Sequence, residues 1–341
     1  MLIEFTLYLI LSIIGCTIYY KWAQKNQIVD TPNERSSHTH QPVRGMGIIF
    51  PIIFSIFSVI TWLNAKPVTS PLIDLQNIGP MFIGSGVLIA GITGFIDDRI
   101  DLRSYVRLPL YTLSVVVSLF PMIAVNINIW WFVVLTVVIV GVINTYNFMD
   151  GINGITGFYS SVLLLSAITL LLLNDQQFLL SYQLETSALI TLAYLISFGI
   201  FNYRNKALAF LGDSGSVSIG LFVCILLVWN GYRFQRWDVL VLLLVYGVDS
   251  VGTIIIRLIR KENIFKAHRS HFYQDLVHVK GIQHLQVAFL YAFLQAIINA
   301  LYVYYFEAIN QVFVITLVLL SIVFVVGKKQ MGTLQLRTNN E

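Results

Sequence analysis

The chain of 341 residues is 57% hydrophobic and only 11% charged, with a mean hydropathy of +0.78, against roughly 45 to 50% apolar and about 25% charged for an ordinary soluble domain. So few charges cannot cover a water-exposed globule of this size, and the apolar residues fall into separate runs of roughly 18 to 21, the length of a helix that crosses a bilayer. Composition excludes the soluble classes and leaves an all-α, polytopic membrane protein. The formal net charge of +4 then matters through its distribution rather than its sum.

Apolar runs predict spans at Leu2–Tyr20, Gly45–Leu63, Pro80–Ile96, Leu108–Ala124, Ile129–Tyr146 and Ile155–Leu173. Five more follow at Ser187–Tyr203, Val217–Trp229, Val239–Ile256, Val287–Tyr305 and Val312–Val326, about eleven helices in all. The first run is expected to be retained, because no basic stretch precedes it and no small-residue cleavage site follows. Cys16 and Cys224 lie inside apolar runs and read as buried small residues, not as a disulfide framework. Of the 21 Lys and Arg residues, all but Lys66, Arg233 and Arg236 fall on one set of alternate loops. That bias places the basic loops in the cytoplasm, the N-terminus outside and the C-terminus inside. The chain 1–341 reads as a single multi-pass domain with a short cytoplasmic tail, 327–341. No repeat, broken-helix pair or low-complexity stretch supports a transporter, the alternative from another class.

Five segments on the basic side carry more polar chemistry than connection requires. The first loop, Asp30 to Gly47, holds hydroxyls, His38 and Arg44 ahead of glycines, which suits an anion as well as it suits a simple positive-inside signal. At the end of the third span, Asp97, Asp98 and Asp101 would share one broad face if the helix continues. Clustered carboxylates at a membrane border call for a cation or for proton transfer, unless Arg99 and Arg103 merely neutralise them. At the end of the fifth, Asn144, Asn147 and Asp150 recur at steps of three before a turn at Gly151 and Gly154, fit either for helix packing or for a polar ligand such as a sugar or base. Gly212-Asp213-Ser214-Gly215 opens an apolar helix and offers backbone N–H groups to phosphate, with Asp213 near a shared metal; an ordinary N-cap is the plainer reading. The last loop carries His268, Arg269 and His271, a set of donors for a diphosphate or a basic membrane-surface loop. Asp249, inside the ninth span, is either a packing partner or a residue at the site's edge. Together these residues suit an enzyme joining a water-soluble phosphate donor to a membrane-dissolved acceptor.

Four blocks, Asp30-Thr-Pro-Asn-Glu-Arg-Ser-Ser-His, Asp97-Asp98-x-x-Asp101, Asn144-x-x-Asn147-x-x-Asp150-Gly and Phe210-Leu-Gly-Asp213-Ser-Gly-Ser, precede a fifth, His268-Arg269-Ser-His271-Phe-Tyr-Gln. In order and spacing they resemble the polyprenyl-phosphate N-acetylhexosamine-1-phosphate transferases of glycosyltransferase family 4, which include phospho-N-acetylmuramoyl-pentapeptide transferase. The first and last blocks look more like the branch that starts O-antigen or related surface glycans than like the peptidoglycan enzyme. The resemblance implies an Mg²⁺-dependent enzyme, with Mn²⁺ as a substitute, that moves N-acetylhexosamine 1-phosphate from a UDP-sugar to undecaprenyl phosphate and releases UMP. It places this chemistry on the inner face of a bacterial cytoplasmic membrane, with the bilayer as partner, no nucleic acid, and room for a homo-oligomer. By the same resemblance Asp97 and Asp98 are the essential carboxylates, with Asp98 and Asp213 on the metal. Phe210 stacks on uracil, while Asn147 and Asp150 contact nucleotide or sugar. His268, Arg269 and His271 hold the diphosphate, whereas Arg103 and Arg107 receive the lipid phosphate. The sequence departs from the family at Asn202-Tyr-Arg-Asn-Lys206, leaving Asn202 only a candidate, and at Gly45-Met-Gly47. The sugar is left open among GlcNAc, FucNAc and QuiNAc.

Overall fold

A computed structural model describes residues 2–31, 41–64, 79–125, 127–174, 179–263, 268–305 and 310–333. The helices are α1 (Leu2–Lys25), α2 (Ile49–Leu63), α3 (Gly79–Ile100), α4 (Ser104–Leu119), α5 (Ile129–Met149) and α6 (Ile155–Asn174). Then come α7 (Leu179–Asn202), α8 (Gly212–Phe234), α9 (Leu244–Ile259), the short α10 (Phe272–His278), α11 (His284–Tyr304) and α12 (Asn310–Gln330). Among the described residues no strand forms a sheet, and eleven helical stretches are long and apolar enough to cross a membrane. The fold class expected from the apolar runs is therefore the one observed.

At the centre stands α8, where every residue from Ser214 to Gly231 is buried. A helix apolar all round has no solvent or lipid face to prefer, so it takes the middle of the bundle. Small residues let its neighbours close in: a β-carbon on Gly94 would collide with the backbone of Asp213, and one on Gly220 with Tyr146. Cys16 and Cys224 are buried and unbridged.

The observed helix ends differ from the apolar runs where the chemistry lies. The third run was expected to stop at Ile96, yet α3 continues to Ile100 and carries Asp97 and Asp98 on helical backbone. The eighth was expected from Val217, but α8 starts at Gly212, so Asp213 belongs to its first turn. Carboxylates end an apolar run without ending a helix when tertiary partners receive them. Asp101, by contrast, sits past the end of α3 at φ 49°, off the face that it was expected to share with Asp97 and Asp98.

The ninth span is discontinuous, a 3₁₀ turn over Trp237–Leu243 leading into α9. Gln295 of α11 bridges the break: its Oε1 accepts the Val245 N–H at 2.9 Å and its Nε2 donates to the Val241 carbonyl at 3.0 Å. Backbone groups freed inside a membrane need such partners. Tyr159 and Asn299 complete the network at 2.7 and 2.6 Å.

Candidate active site

At one end of the bundle a polar cavity of about 270 Å³ is lined by residues from five parts of the chain. Its wall is a three-way backbone stitch, in which Val43 bridges Val29 on one side and Ala209 on the other. The Phe210 N–H donates to the Val43 carbonyl at 2.8 Å, and Met46 and Gly47 donate to Phe210 and Leu211 at 3.1 and 2.9 Å. Gly45 makes the turn at φ 75°, and Gly47 packs so closely on Gly215 that a side chain there would collide with it. The altered Gly-Met-Gly run thus serves a specific turn and a close approach. Phe210 lines the cavity on this stitch.

Asp98 projects from the last turn of α3 onto the start of α8. Its Oδ1 accepts the Asp213 N–H at 3.2 Å and its Oδ2 the Ser214 N–H at 3.4 Å. Gly212 makes room for it at φ 73°, where a β-carbon would strike the carboxylate. The first turn of α8 was expected to offer its N–H groups to phosphate or to cap itself through Asp213 or Ser214. Instead the helix has Leu211 at its N-cap without a side-chain bond, and Asp98 supplies the negative charge that a helix start favours. A phosphate would have to displace a carboxylate already seated there.

Arg44 completes the anchoring of Asp98, its Nε 3.0 Å from Oδ1, and lies 3.7 Å from Asp30 through Nη1. Asp213 faces the Asn147 amide and the Asp97 carboxylate. Asp150 ends α5, where its N–H donates to the Asn147 carbonyl at 3.2 Å, and the Tyr273 hydroxyl fixes the same turn through the Phe148 carbonyl at 3.0 Å. Burial pushes the Asp150 carboxyl up to about 7, with the nearby Asp98 charge adding to it. Asn202 is a structural pin, accepting the Gly154 N–H at 2.7 Å and donating to the Ala209 carbonyl at 2.9 Å.

Of the residues singled out in the sequence, Asp98, Asn147, Asp150, Phe210 and Asp213 line this cavity together. Asp97 does not line it: Oδ2 pairs with Arg107 Nη1 at 2.8 Å and Oδ1 accepts the Leu102 N–H at 2.6 Å. Arg107 is thereby engaged by Asp97, while Arg103, at the N-cap of α4, leans on the Tyr105 hydroxyl at 3.2 Å. Asn144 returns its amide to the Val140 carbonyl within its own helix. The glycan-branch block of the first loop, with Arg35 and His38, lies outside the described residues.

His268, Arg269 and His271 also stand apart from the cavity. His271 is buried, with Nδ1 3.3 Å from Asp249 Oδ1, and its side chain caps α10 together with Gln274. Asp249 also accepts the N–H groups of Phe272 and Tyr273 at 2.8 and 3.1 Å and the Tyr291 hydroxyl at 2.7 Å. It is the packing partner of the two readings. His268 is held down to about 4, first by burial and then by the charges of His271 and Arg257, so it carries no charge near neutrality. Arg269 lines a separate recess with Arg260 and Lys328. Of these residues, which were expected to hold a diphosphate, His268 and His271 pack ring against ring with centroids 4.9 Å apart, while Arg269 is on the wall of the other recess.

The cavity also contains Asp30, Gln274 and His284, which had no assigned role, and Arg44, which the first loop offered to an anion. Gln274 closes the last quoted motif and could have been suspected there. His284 opens an apolar run with no signal to mark it.

Asp30, Asp98, Asp150 and Asp213 face the cavity against Arg44. Among the described residues no three His, Cys, Asp or Glu side chains form a ready metal cage. The oxygen donors of Asp98, Asp213 and Asn147 fit a hard divalent cation of the kind bound by one or two carboxylates and completed by substrate phosphates.

An apolar bundle with a carboxylate-lined cavity at one end defines a multi-pass membrane protein with an enzyme-like site. Residues 81–231 match the model of glycosyl transferase family 4, the family that the motifs resembled. Among curated relatives, a probable undecaprenyl-phosphate N-acetylglucosaminyl 1-phosphate transferase of Bacillus subtilis is 24% identical over 83% of this chain and 78% of its own length. A phospho-N-acetylmuramoyl-pentapeptide-transferase of Streptococcus pneumoniae is 25% identical over 80% of the chain and 86% of its own, and one from Buchnera aphidicola is 26% identical over 77% and 80%.

Proposed function

We propose that this protein transfers N-acetylhexosamine 1-phosphate from a UDP-sugar to undecaprenyl phosphate, the priming step of a bacterial surface glycan. The carrying observation is the convergence of Asp98, Asp213, Asn147, Asp150 and Phe210 on one polar cavity at the end of an apolar bundle. A donor from water and an acceptor from lipid can both reach such a place. Basic loops surround that end, which supports a cytoplasmic site, an external N-terminus and a cytoplasmic C-terminus.

An oxygen of the lipid phosphate attacks the phosphorus bearing the sugar, and the bond from that phosphorus to the bridging oxygen breaks, leaving UMP. Bound Mg²⁺, held by Asp98 and Asp213, would neutralise the phosphate charges that this carboxylate-lined cavity otherwise repels. Asp98, fastened by Arg44 and two N–H groups of α8, is better placed to hold charge than to attack as a nucleophile, which supports direct transfer over a two-step route. The lipid phosphate is already largely ionised at neutral pH and mainly needs positioning. Phe210 offers a ring to the flat base, Asn147 and Asp150 bind nucleotide or sugar, and Arg103, at the membrane-edge N-cap of α4, meets the lipid phosphate.

The test is purified protein with undecaprenyl phosphate, Mg²⁺ and labelled UDP-GlcNAc, a UDP-6-deoxy-HexNAc or UDP-MurNAc-pentapeptide in separate reactions. EDTA-sensitive label in the butanol phase is expected with one of the first two. Label only from the pentapeptide donor would shift the reading to the peptidoglycan reaction, which the similarity to the S. pneumoniae enzyme favours. No lipid-phase label from any donor would sink both.

A further inference from the structure

Arg44 joins the inside of the cavity to its mouth. Its backbone is fixed: the Arg44 N–H donates to the Ile28 carbonyl at 3.1 Å and its own carbonyl accepts the Tyr19 hydroxyl at 2.8 Å. Its side chain is 41% exposed, whereas that of Asp98, 3.0 Å away, is 3% exposed. Among the described residues the guanidinium is therefore the only exposed partner of Asp98. The other two, the N–H groups of Asp213 and Ser214, belong to the first turn of the buried central helix and cannot leave without unwinding it. Arg44 shares Oδ1 with the Asp213 N–H, and its positive charge beside the carboxylate opposes a divalent cation, so full access of a cation to Asp98 calls for Arg44 to move. An arginine fork leaving a carboxylate matches the geometry and charge of a diphosphate, and the same cavity holds both residues.

We propose that Arg44 is an exchangeable counter-ion, shielding Asp98 in the empty site and passing to the diphosphate of the incoming nucleotide sugar as a divalent cation takes its place on Asp98. This rests on the donor reading above and adds a positioning residue to it. Its consequence is an ordered interdependence. The diphosphate draws Arg44 off Asp98 and so tightens cation binding, and by linkage the cation tightens the diphosphate by the same factor.

The experiment measures binding rather than turnover, with UDP as the diphosphate probe and Mn²⁺, followed by the loss of its free-ion paramagnetic resonance signal, as the cation. In the wild type, Mn²⁺ alone is expected to bind weakly and to bind about tenfold tighter with UDP saturating. Arg44→Gln should bind Mn²⁺ alone about tenfold tighter than the wild type, bind UDP about tenfold weaker, and lose most of the coupling. Those opposed shifts are what damage to the site's shape would not produce. Arg44→Lys, which keeps the charge without the fork, should stay near the wild type for Mn²⁺ and fall between the other two for UDP, and it carries the comparison alone if Arg44→Gln does not fold. Mn²⁺ binding to Arg44→Gln that is unchanged or weaker overturns the proposal, as does Arg44→Lys with full coupling and unaltered UDP affinity. A wild type that binds both probes without coupling sinks the exchange only. One that binds neither sinks the donor reading beneath it.

Discussion

The cavity around Asp98 and the clamp around Asp249 use the same materials to opposite ends. Each has a buried aspartate that receives two backbone N–H groups from the start of another helix, Asp213 and Ser214 in one case and Phe272 and Tyr273 in the other. Around Asp249 the remaining capacity is filled by His271, Thr253 and the Tyr291 hydroxyl, all three buried. Around Asp98 the last partner is the half-exposed Arg44, and the site opens on a space large enough for a ligand. A carboxylate capping a foreign helix is therefore a structural device by itself. Function enters only where one partner can be exchanged.

The comparison breaks most sharply at the carboxylates. Asp98→Asn and Asp213→Asn should each lower the transfer rate by about 10² to 10³-fold, the scale of losing one preorganised charge in an enclosed site; the thermal midpoint should hardly move for Asp213→Asn and fall for Asp98→Asn, which turns one of two accepting oxygens into a donor facing an N–H and leaves Arg44 without its nearer partner. Rates near the wild type in both variants would strip the cavity of its catalytic assignment. Asp249→Ala should instead cost about 3 to 5 kcal/mol of stability by leaving His271 and two N–H groups without their partner. That is read from thermal unfolding in detergent, and a variant that is inactive yet as stable as the wild type would move Asp249 into the site.

Gly212→Ala sharpens the contrast at the backbone. The left-handed conformation costs a side chain about 1 to 2 kcal/mol, and the new methyl would press on the Asp98 carboxylate. About a tenfold loss of transfer in a folded protein is expected, whereas the same change at Gly281, also at positive φ but in open space, should leave transfer intact.

The remaining effect is on pH. Asp150 is raised to about 7 in the folded chain from about 3.9 unfolded. Its contribution to stability is complete below about pH 4, where both states hold the proton. It falls as pH climbs toward 7, because the unfolded chain releases a proton that the folded one keeps. Asp150→Asn should flatten that slope between pH 4 and 7 in a series of thermal midpoints. An unchanged slope would mean that Asp150 ionises freely.

Periodicity and length settled much of this fold in advance. Eleven apolar runs became eleven candidate spans because a bilayer admits few alternatives to helix, and the centre of each run was legible from hydrophobicity alone. The polar motifs marked Asp98, Asn147, Asp150 and Asp213, since carboxylates and amides at the border of an apolar helix need partners, and the family resemblance marked Phe210. His268, Arg269 and His271 gave an equally strong signal and lie off the cavity lining, with His271 in the Asp249 clamp, because a motif records which groups are present and not which way they turn.

What only the tertiary structure decided is the pairing. That Asp97 faces Arg107 and Asp98 faces Arg44 follows from the helical step between adjacent residues and from which neighbour lies on each side of α3. That the start of α8 is capped by Asp98 depends on Gly212 and Gly94 letting two helices touch. Sequence determined the solvent that the protein lives in and the inventory of its chemistry, since both follow from local composition. Long-range packing decided which charges neutralise one another and which remain for a ligand, because a buried charge belongs to whatever partner the fold brings within a few ångströms.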